Sequence, residues 1–378
     1  MPSHAKLATL IAALSEESAF FGQVTKQEYV MRTVFWDYET SETKMIDQRL
    51  LPEAYEIVAF QRYADVGTAI TDMVIRGAPA IGAAAGFGMA LAAHESRASD
   101  LVSLRADLQS AANILRVARP TAVNLAWALD RMSAVANSFE GSTDDLREAI
   151  LKEAQLIADE DVEINKRMSE YGAALIEDGD TIIHHCNTGS LATVDWGTAL
   201  GVIHTAHDQG KNIHVLVDET RPRLQGARLT AWELKEYGIP FDIISDNMAG
   251  YFLYTGQVQR VVFGSDRTAA NGDVVNKIGT YMLSLAAKDN HVPAYAVVPT
   301  STIDLSLAHG GLIPIEERGQ EEVLSLELLG RKASPVGSTA RNIAFDVTPH
   351  RLVTAIVTEN GVVYPPFDLN LKKVVENK

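Results

Sequence analysis

Hydrophobic and polar positions follow two different periods in the first half of the chain. Alternating runs at 33–36 and 45–47 flank a polar stretch at 39–42, which predicts a β-hairpin, and 55–60 predicts a third strand. From residue 66 onward apolar residues recur every three to four positions, which predicts a helical bundle. The predicted helices are 66–75, 79–95, 101–117, 121–137 and 143–175, with a further helix at 5–14.

The second half instead alternates short apolar runs with helical stretches. The runs predict strands at 181–185, 213–217, 241–244, 261–263, 294–298 and 352–357, and the helical patterns lie at 193–209, 226–237 and 275–288. Strands that alternate with helices favour βαβ units and a mainly parallel sheet. We therefore expect an α/β fold with a small antiparallel sheet and a helical bundle first. The turn-rich stretch 177–180 predicts the boundary between two domains, 31–175 and 176–378.

Two further features of the sequence carry no sign of a function. Segment 305–345 is rich in loop residues and is expected to wrap back over the second domain. Its charged stretch 316–318 is interpreted as solvent-exposed. His204 and His207 lie one helical turn apart without a third metal ligand nearby, so they are interpreted as part of a solvated helix face.

The charge balance narrows the classes of partner. The chain carries 33 basic and 49 acidic residues, a formal net charge of −16. We therefore expect no binding to nucleic acid or to an anionic membrane, which requires a basic surface. A phosphorylated substrate would have to be held by local cations against this overall field. The apolar stretches predict neither a membrane span nor a signal peptide.

Cys186 is the one cysteine of the sequence. An intrachain disulfide and a cysteine-rich zinc site are therefore excluded. This usage favours a reducing compartment, so we expect a cytoplasmic location.

Polar residues follow four of the predicted strands. Cys186 and Asn187 follow the apolar run at 181–185. Asp218, Asp246 and Asp266 follow the three runs after it. Ligands of an open parallel sheet bind outside the carboxyl ends of its strands, so we expect these side chains to converge on one edge. The alternative for each aspartate is that it only caps the following helix.

Short motifs that start with a basic residue predict anion sites. Arg76 precedes Gly77, Ala78 and a proline, and Arg119 precedes Pro120, each at the start of a predicted helix. A helix N-terminus attracts anions, and a proline suits its first turn. A third site is predicted from Asn276 and Lys277, at the opening of the helix predicted at 275–288. The alternative for each basic residue is a solvated surface ion pair.

Seven motifs, in order along residues 33–365, together resemble one family. They are MVIRGAPAIG (73–82), RPTAVNL (119–125), HCNTG (185–189), DETRPRLQGARLT (218–230), SDNMAG (245–250), GSDR (264–267) and NGDVVNKIGT (271–280). These stretches resemble the S-methyl-5-thioribose-1-phosphate isomerases. Ser265 stands where the family has alanine, and residues 1–30 resemble an extension beyond the common core.

The resemblance implies a sheet-and-helix domain followed by a Rossmann-like catalytic domain. It also implies a homodimer that converts 5-methylthioribose 1-phosphate to 5-methylthioribulose 1-phosphate in methionine salvage, without a metal or an organic cofactor. The implied catalytic pair is Asp266, as acid or proton shuttle, and Cys186, as base or as a residue that shapes a dry site. The residues implied to bind the phosphate and the sugar are Arg76, Gly77, Ala78, Arg119, Gln225, Asn276 and Lys277.

Two alternatives remain open within this resemblance. The protein could isomerise 5-deoxyribose 1-phosphate or ribose 1,5-bisphosphate, since the walls around the 5-position cannot be identified from sequence. It could also be a non-catalytic regulatory subunit of a translation-factor exchange complex. The presence of both Cys186 and Asp266 argues against that second possibility.

Overall fold

The computed structural model describes residues 31–120 and 122–376. The helix predicted at 5–14 lies outside them. Three antiparallel strands open the described part: β1 (Val34–Asp37), β2 (Glu42–Ile46) and β3 (Ile57–Phe60). β2 pairs with both of its neighbours, which confirms the predicted hairpin and third strand. Buried and more exposed positions alternate along β1 because one face of the small sheet packs on the core.

A bundle of five helices follows, as predicted. The helices are α1 (Tyr63–Thr71), α2 (Ala78–Glu95), α3 (Leu101–Arg116), α4 (Val123–Ser138) and α5 (Thr143–Ala173). Helix α2 lies at the centre of the bundle, where it contacts the other four helices and also β1 and β2 of the small sheet. Its alanines and glycines allow this close packing, because they occupy little space between helix axes.

The remaining strands are short, and several are separated by helices. They are β4 (Thr181–His184), β5 (His214–Asp218), β6 (Phe241–Ile244), β7 (Arg260–Phe263), β8 (Arg267–Ala269), β9 (Val274–Lys277), β10 (Ala294–Val297), β11 (Ile303–Asp304), β12 (Glu327–Leu328), β13 (Arg331–Lys332), β14 (Phe345–Thr348), β15 (Ala355–Thr358) and β16 (Gly361–Val363). The helices are α6 (Ala199–Asp208), α7 (Ala231–Glu236), α8 (Ala249–Tyr254), α9 (Thr280–Asp289), α10 (Glu321–Leu324) and α11 (Phe367–Glu376).

Seven of these strands form one sheet in the order β16-β15-β10-β7-β4-β5-β6. All neighbours pair in parallel except β15 and β16, as expected for βαβ units. From β4 the chain first builds outward through β5 and β6, and then returns to the other side of β4 with β7. The strand order therefore reverses between β4 and β7, which is where an open sheet of this kind leaves a crevice for a ligand.

A second, four-stranded sheet in the order β11-β8-β9-β14 corrects one prediction. Residues 274–277 form strand β9 rather than the start of a helix, and α9 begins only at Thr280. Val274 and Val275 are β-branched and pair with β14, far along the chain. The helix can begin only after Gly279, whose φ of +106° breaks the strand.

Apolar clusters cover both faces of the large sheet. One contains residues of α8, α9 and α11, and the other contains residues of α6 and the C-terminal end of α5. The helix predicted at 193–209 begins only at Ala199, because Gly197 in the preceding loop has a φ of +88°. None of the helices in the described ranges is long and apolar enough to cross a membrane.

Segment 305–345 contains loops, α10 and the short hairpin β12–β13. It folds against the loop that follows β5. Arg223 forms an ion pair with Glu322 at 3.0 Å, and Arg221 donates a hydrogen bond to the main-chain oxygen of Val323 over 3.2 Å. The expected covering of the second half of the chain by this segment is therefore seen at these contacts.

Candidate active site

A cavity of about 80 Å³ lies at the crevice between β4 and β7. All nine residues selected from the sequence line it, although they come from distant parts of the chain: Arg76, Gly77, Ala78, Arg119, Cys186, Gln225, Asp266, Asn276 and Lys277. A second cavity of about 250 Å³ adjoins it. The two share Gly77, Ala78, Arg119, Asp266 and Phe345 as lining residues.

Cys186 lies two residues beyond β4, in a main-chain conformation that its neighbours hold in place. Its φ is +69°, an uncommon value for a residue with a side chain. Its N–H donates to Oγ1 of Thr220 over 2.9 Å, and its carbonyl accepts from Oγ1 of Thr230 over 2.7 Å. Two buried threonines therefore fix the peptide groups on both sides of the thiol, which restrains its position at the cavity.

Asp266 faces the cavity from the loop after β7. Its N–H donates to the carbonyl of Val275 over 2.9 Å, which ties the loop to β9. Burial raises the pKa of the Asp266 carboxyl, against the opposing charges of Lys277 and Arg119. Burial also raises the pKa of the Cys186 thiol. Both groups are thus shifted toward their protonated forms, as an acid and a thiol in a dry site require.

Arg76 reaches the cavity from the turn before α2. Its Nη1 donates to the main-chain oxygen of Asn187 over 3.1 Å, and its Nη2 donates to the side-chain oxygen of the same residue. Its Nε is buried and lacks a partner among the described residues. The amide of Asn187 donates in turn to Glu233 over 2.7 Å. Because burial raises the pKa of Glu233 to about 7, this carboxyl can carry a proton near neutrality.

Gly77 joins this turn to the second half of the chain. Its φ is +99°, and a Cβ built on it would lie 2.2 Å from the carbonyl oxygen of Ala192. A residue with a side chain would therefore push the turn away from the cavity. The predicted proline signal holds at Pro79, which lies in the first turn of α2. It fails at Pro120, because α4 begins only at Val123.

Asn276 and Lys277 are buried on β9, not at a helix opening as predicted. Nδ2 of Asn276 donates to Oγ1 of Thr280 over 3.0 Å. Burial lowers the pKa of Lys277 to about 8, and it lowers the pKa of Arg119 to about 10. Gln225 is also buried, and its Oε1 has no partner in the part of the chain that the structure describes.

The three aspartates at strand ends do not form one site. Asp266 lines the cavity, whereas Asp218 and Asp246 do not and lie beside His185. Both carboxylate oxygens of Asp246 accept main-chain N–H groups of the loop after β5, at 2.6 and 2.7 Å. The three acids do follow the carboxyl ends of neighbouring parallel strands, as expected, but only Asp266 lines the cavity.

The cluster of His185, Asp218 and Asp246 does not suit a metal ion. Nδ1 of His185 lies 2.7 Å from Asp218, and its Nε2 donates to the carbonyl of Ile278 over 2.9 Å. Both ring nitrogens are thus committed to other partners, as are both oxygens of Asp246. Burial disfavours the charged imidazole, but the bond to Asp218 raises the pKa of His185 overall. The pair therefore holds Ile278, and with it the end of β9, beside the cavity.

Arg318 and Phe345 also line the cavity, although no sequence motif pointed to either of them. Arg318 had been interpreted as a solvent-exposed charge, but its side chain is only 9% exposed and it lines the cavity. Phe345 lies on β14 directly opposite Lys277. Neither belongs to a periodic pattern or a motif: the pairing of β14 with β9 places Phe345, and the hydrogen bond from the N–H of Arg318 to the carbonyl of Asn342 holds Arg318.

Comparison with known proteins shows which family the chain is similar to. Residues 74–365 match the model of the Initiation factor 2 subunit family. A methylthioribose-1-phosphate isomerase of Thermosipho africanus is 50% identical over 92% of this chain and 99% of its own length. That of a Synechococcus species is 50% identical over 89% and 96%.

Two solved structures extend the comparison. The 5-methylthioribose 1-phosphate isomerase of Pyrococcus horikoshii has a TM-score of 0.87 and 45% identity, and the match covers 94% of this chain and 99% of that one. A structure from A. fulgidus described as translation initiation factor eIF-2B, subunit delta, has a TM-score of 0.82 and 44% identity, over 92% and 99%.

The protein has a mainly parallel sheet and a cavity with four basic side chains where the strand order reverses. These features define a class of α/β proteins suited to binding small anions. The comparisons identify the family within that class. The chain belongs to the Initiation factor 2 subunit family, and relatives that are about 50% identical to it are named methylthioribose-1-phosphate isomerase.

Proposed function

We propose that the protein is an aldose–ketose isomerase that converts 5-methylthioribose 1-phosphate to 5-methylthioribulose 1-phosphate, a step of methionine salvage. One observation carries the proposal. A cysteine and a carboxyl group with raised pKa values share a small cavity with four basic side chains. About 50% identity to enzymes of that name, over some nine-tenths of the chain, supports it.

The substrate explains why an acid is required. Phosphate blocks the anomeric oxygen, so the sugar cannot open to a free aldehyde, and the bond between C1 and the ring oxygen must break instead. Asp266 in its protonated form can give a proton to the ring oxygen as that bond breaks. Burial raises the pKa of this carboxyl, which increases the protonated fraction near neutral pH.

Hydrogen must then move from C2 to C1, and two routes were left open by the sequence. In one, a Cys186 thiolate takes the proton from C2 and an enolate is reprotonated at C1. In the other, hydride moves directly from C2 to C1, and the C2 hydroxyl returns its proton to Asp266. The raised pKa of Cys186 keeps the thiol protonated, which favours the hydride route. Cys186 then shapes a dry pocket for the cationic intermediate.

Cations hold the phosphate in this proposal. Arg76, Arg119 and Lys277 surround the cavity with the N-terminus of α2, where Gly77 and Ala78 offer main-chain N–H groups. Gln225 and Asn276 line the same cavity and are proposed to bind the sugar hydroxyls. The unpartnered buried atoms of Arg76 and Gln225 support this, because a bound substrate would satisfy them.

The experiment compares three sugars in one coupled assay of the purified protein. We expect turnover of 5-methylthioribose 1-phosphate to exceed that of 5-deoxyribose 1-phosphate and ribose 1,5-bisphosphate. A preference for either of the other two would overturn the proposed substrate. Turnover of none would favour a non-catalytic subunit, a role that the likeness to the A. fulgidus structure keeps open.

We also propose a cytoplasmic location, because the use of a single cysteine favours a reducing compartment.

We further propose that the protein is a homodimer. Large apolar side chains are exposed together on the neighbouring helices α8 and α9: Tyr251, Tyr254, Met282 and Leu285. An apolar face of this kind is suited to self-association about a two-fold axis. We call these four residues the apolar face.

A further proposal concerns the two domains, 31–175 and 176–378, which we expect to close over the substrate. Support comes from the separate apolar clusters of the helical bundle and of the large sheet. Closure would exclude water from the cavity and retain the reactive intermediate.

A further inference from the structure

The fourth basic side chain of the cavity comes from a segment to which the motifs assign no role. Arg318 lies in segment 305–345, and it lines the cavity together with Arg76, Arg119 and Lys277. Its side chain is 9% exposed. A guanidinium placed this deeply loses most of its hydration, so neighbouring groups must compensate for that loss.

Two neighbours set the orientation of Arg318. Glu316 accepts hydrogen bonds from Nε and Nη2 over 3.0 and 3.1 Å, a two-pronged pair that fixes the guanidinium plane. The main-chain N–H of Arg318 donates to the carbonyl of Asn342 over 2.8 Å, which holds its segment in place. Nη1 takes no part in the pair with Glu316, so it is the nitrogen that can donate to a ligand.

The ring of Phe345 links Arg318 to Lys277. The central guanidinium carbon of Arg318 lies 5.4 Å from the ring centroid, and Nζ of Lys277 lies 4.3 Å from it. A ring face attracts a cation without neutralising it, unlike a carboxylate. Lys277 therefore keeps its charge for a ligand in the cavity.

Cations this close together repel one another unless an anion joins them. After burial, the charge of Arg318 is the next cause that lowers the pKa of Lys277 to about 8. The same two causes lower the pKa of Arg119 to about 10. A doubly charged anion would relieve this repulsion, whereas a neutral hydroxyl group would not.

We propose that Arg318 is a further substrate-binding residue, which donates from Nη1 to the phosphate of the substrate beside Arg119 and Lys277. Segment 305–345 thereby completes the anion pocket, and Glu316 and Phe345 act as positioning residues. The identity of the sugar rests on the proposed function, but the binding of a phosphate group does not.

The test compares Arg318→Gln with Arg341→Gln. Arg341 is a matched control because it lies in the same segment, pairs with Glu317 and has a side chain that is 79% exposed. The measurements are KM and kcat for 5-methylthioribose 1-phosphate, the dissociation constant of inorganic phosphate by calorimetry, and the thermal midpoint. For Arg318→Gln we expect KM and the dissociation constant of inorganic phosphate to rise together by about 10- to 100-fold. We expect kcat to change little, the thermal midpoint to fall modestly because Glu316 loses its two-pronged partner, and Arg341→Gln to resemble the wild type.

Further variants and outcomes decide between binding and a merely structural role. Arg318→Lys should recover part of the affinity, because it keeps the charge and loses the two-pronged geometry. Unchanged KM and phosphate binding in Arg318→Gln would overturn the proposal, and so would a lower kcat with unchanged phosphate binding. If the wild type does not turn over the sugar but Arg318→Gln still weakens phosphate binding, the proposed function fails and the assignment of Arg318 stands.

Discussion

Cys186 and Asp266 face one cavity from the ends of two adjacent parallel strands, β4 and β7. The strand order reverses between these strands, which leaves a crevice for a ligand at their carboxyl ends. The two residues are 80 positions apart in the sequence, and the topology alone brings them together.

This relationship predicts the effect of removing either group. Cys186→Ser and Asp266→Asn should each reduce kcat/KM by about 10²–10⁴-fold, the usual range for the loss of an acid or base. Circular dichroism and thermal unfolding should remain near the wild type. Asp368→Asn, on the exposed side of α11, serves as the control. Near-normal activity in either of the first two variants would remove that residue from the mechanism.

The turn that carries Arg76 predicts a second effect. Gly77→Ala should lower the free energy of unfolding by about 3 kcal/mol, since both an unfavourable φ and a clash with Ala192 oppose the new side chain. Gly179→Ala is a matched control, because Gly179 has a φ of +88° but a Cβ there would meet nothing within 4 Å. It should cost about 1 kcal/mol. If urea unfolding shows that Gly77→Ala and Gly179→Ala lose the same free energy of unfolding, the contact with Ala192 contributes nothing to the effect.

Local patterns were sufficient where burial itself is periodic. The apolar stripes of α3 and α5 and the short buried runs of β4 and β5 predicted those elements to within a few residues. The motif residues could also be selected, because glycine, proline and basic residues before a helix have a local physical meaning.

Long-range pairing accounts for what the sequence did not reveal. A short apolar run such as that of β9 suits a strand or a helix equally well, and only its pairing with β14 decides between them. Arg318 reaches the cavity because Asn342 holds its segment there, a contact that no local pattern predicts. Asp218 and Asp266 looked alike in sequence, and only the position of His185 separates their roles.

The apolar face predicts the oligomeric state. Light scattering during size exclusion should show a dimer of the wild type, and Tyr254→Glu should shift it toward monomer because a charge cannot be buried there without a partner. Tyr254 is 78% exposed, and Tyr38, which is 66% exposed on the hairpin of β1 and β2, provides the matched control Tyr38→Glu. A monomeric wild type, or a dimer that tolerates Tyr254→Glu, would contradict this interface.

The lowered pKa of Lys277 predicts a pH dependence. Lysine is charged below its pKa, so the attraction for phosphate is fully present below about pH 8 and is lost as the pH rises through that value. We expect kcat/KM to fall by up to about tenfold per pH unit on that side, and kcat to fall less. Lys277→Arg should remove this fall in kcat/KM at high pH, because a guanidinium stays charged. A wild-type profile that is flat up to about pH 10, near the usual pKa of lysine, would contradict it.

Deuterium at C2 of the substrate distinguishes the two routes of hydrogen transfer. The thiol of Cys186 is buried, and its raised pKa keeps it protonated in the free protein, so it is a poor base for the C2 proton. We therefore expect the label to appear at C1 of the product without loss to solvent, as hydride transfer requires. Mass spectrometry of product formed in ordinary water measures this directly. Washout of the label would instead assign proton abstraction to Cys186, and it would require that substrate binding generate the thiolate.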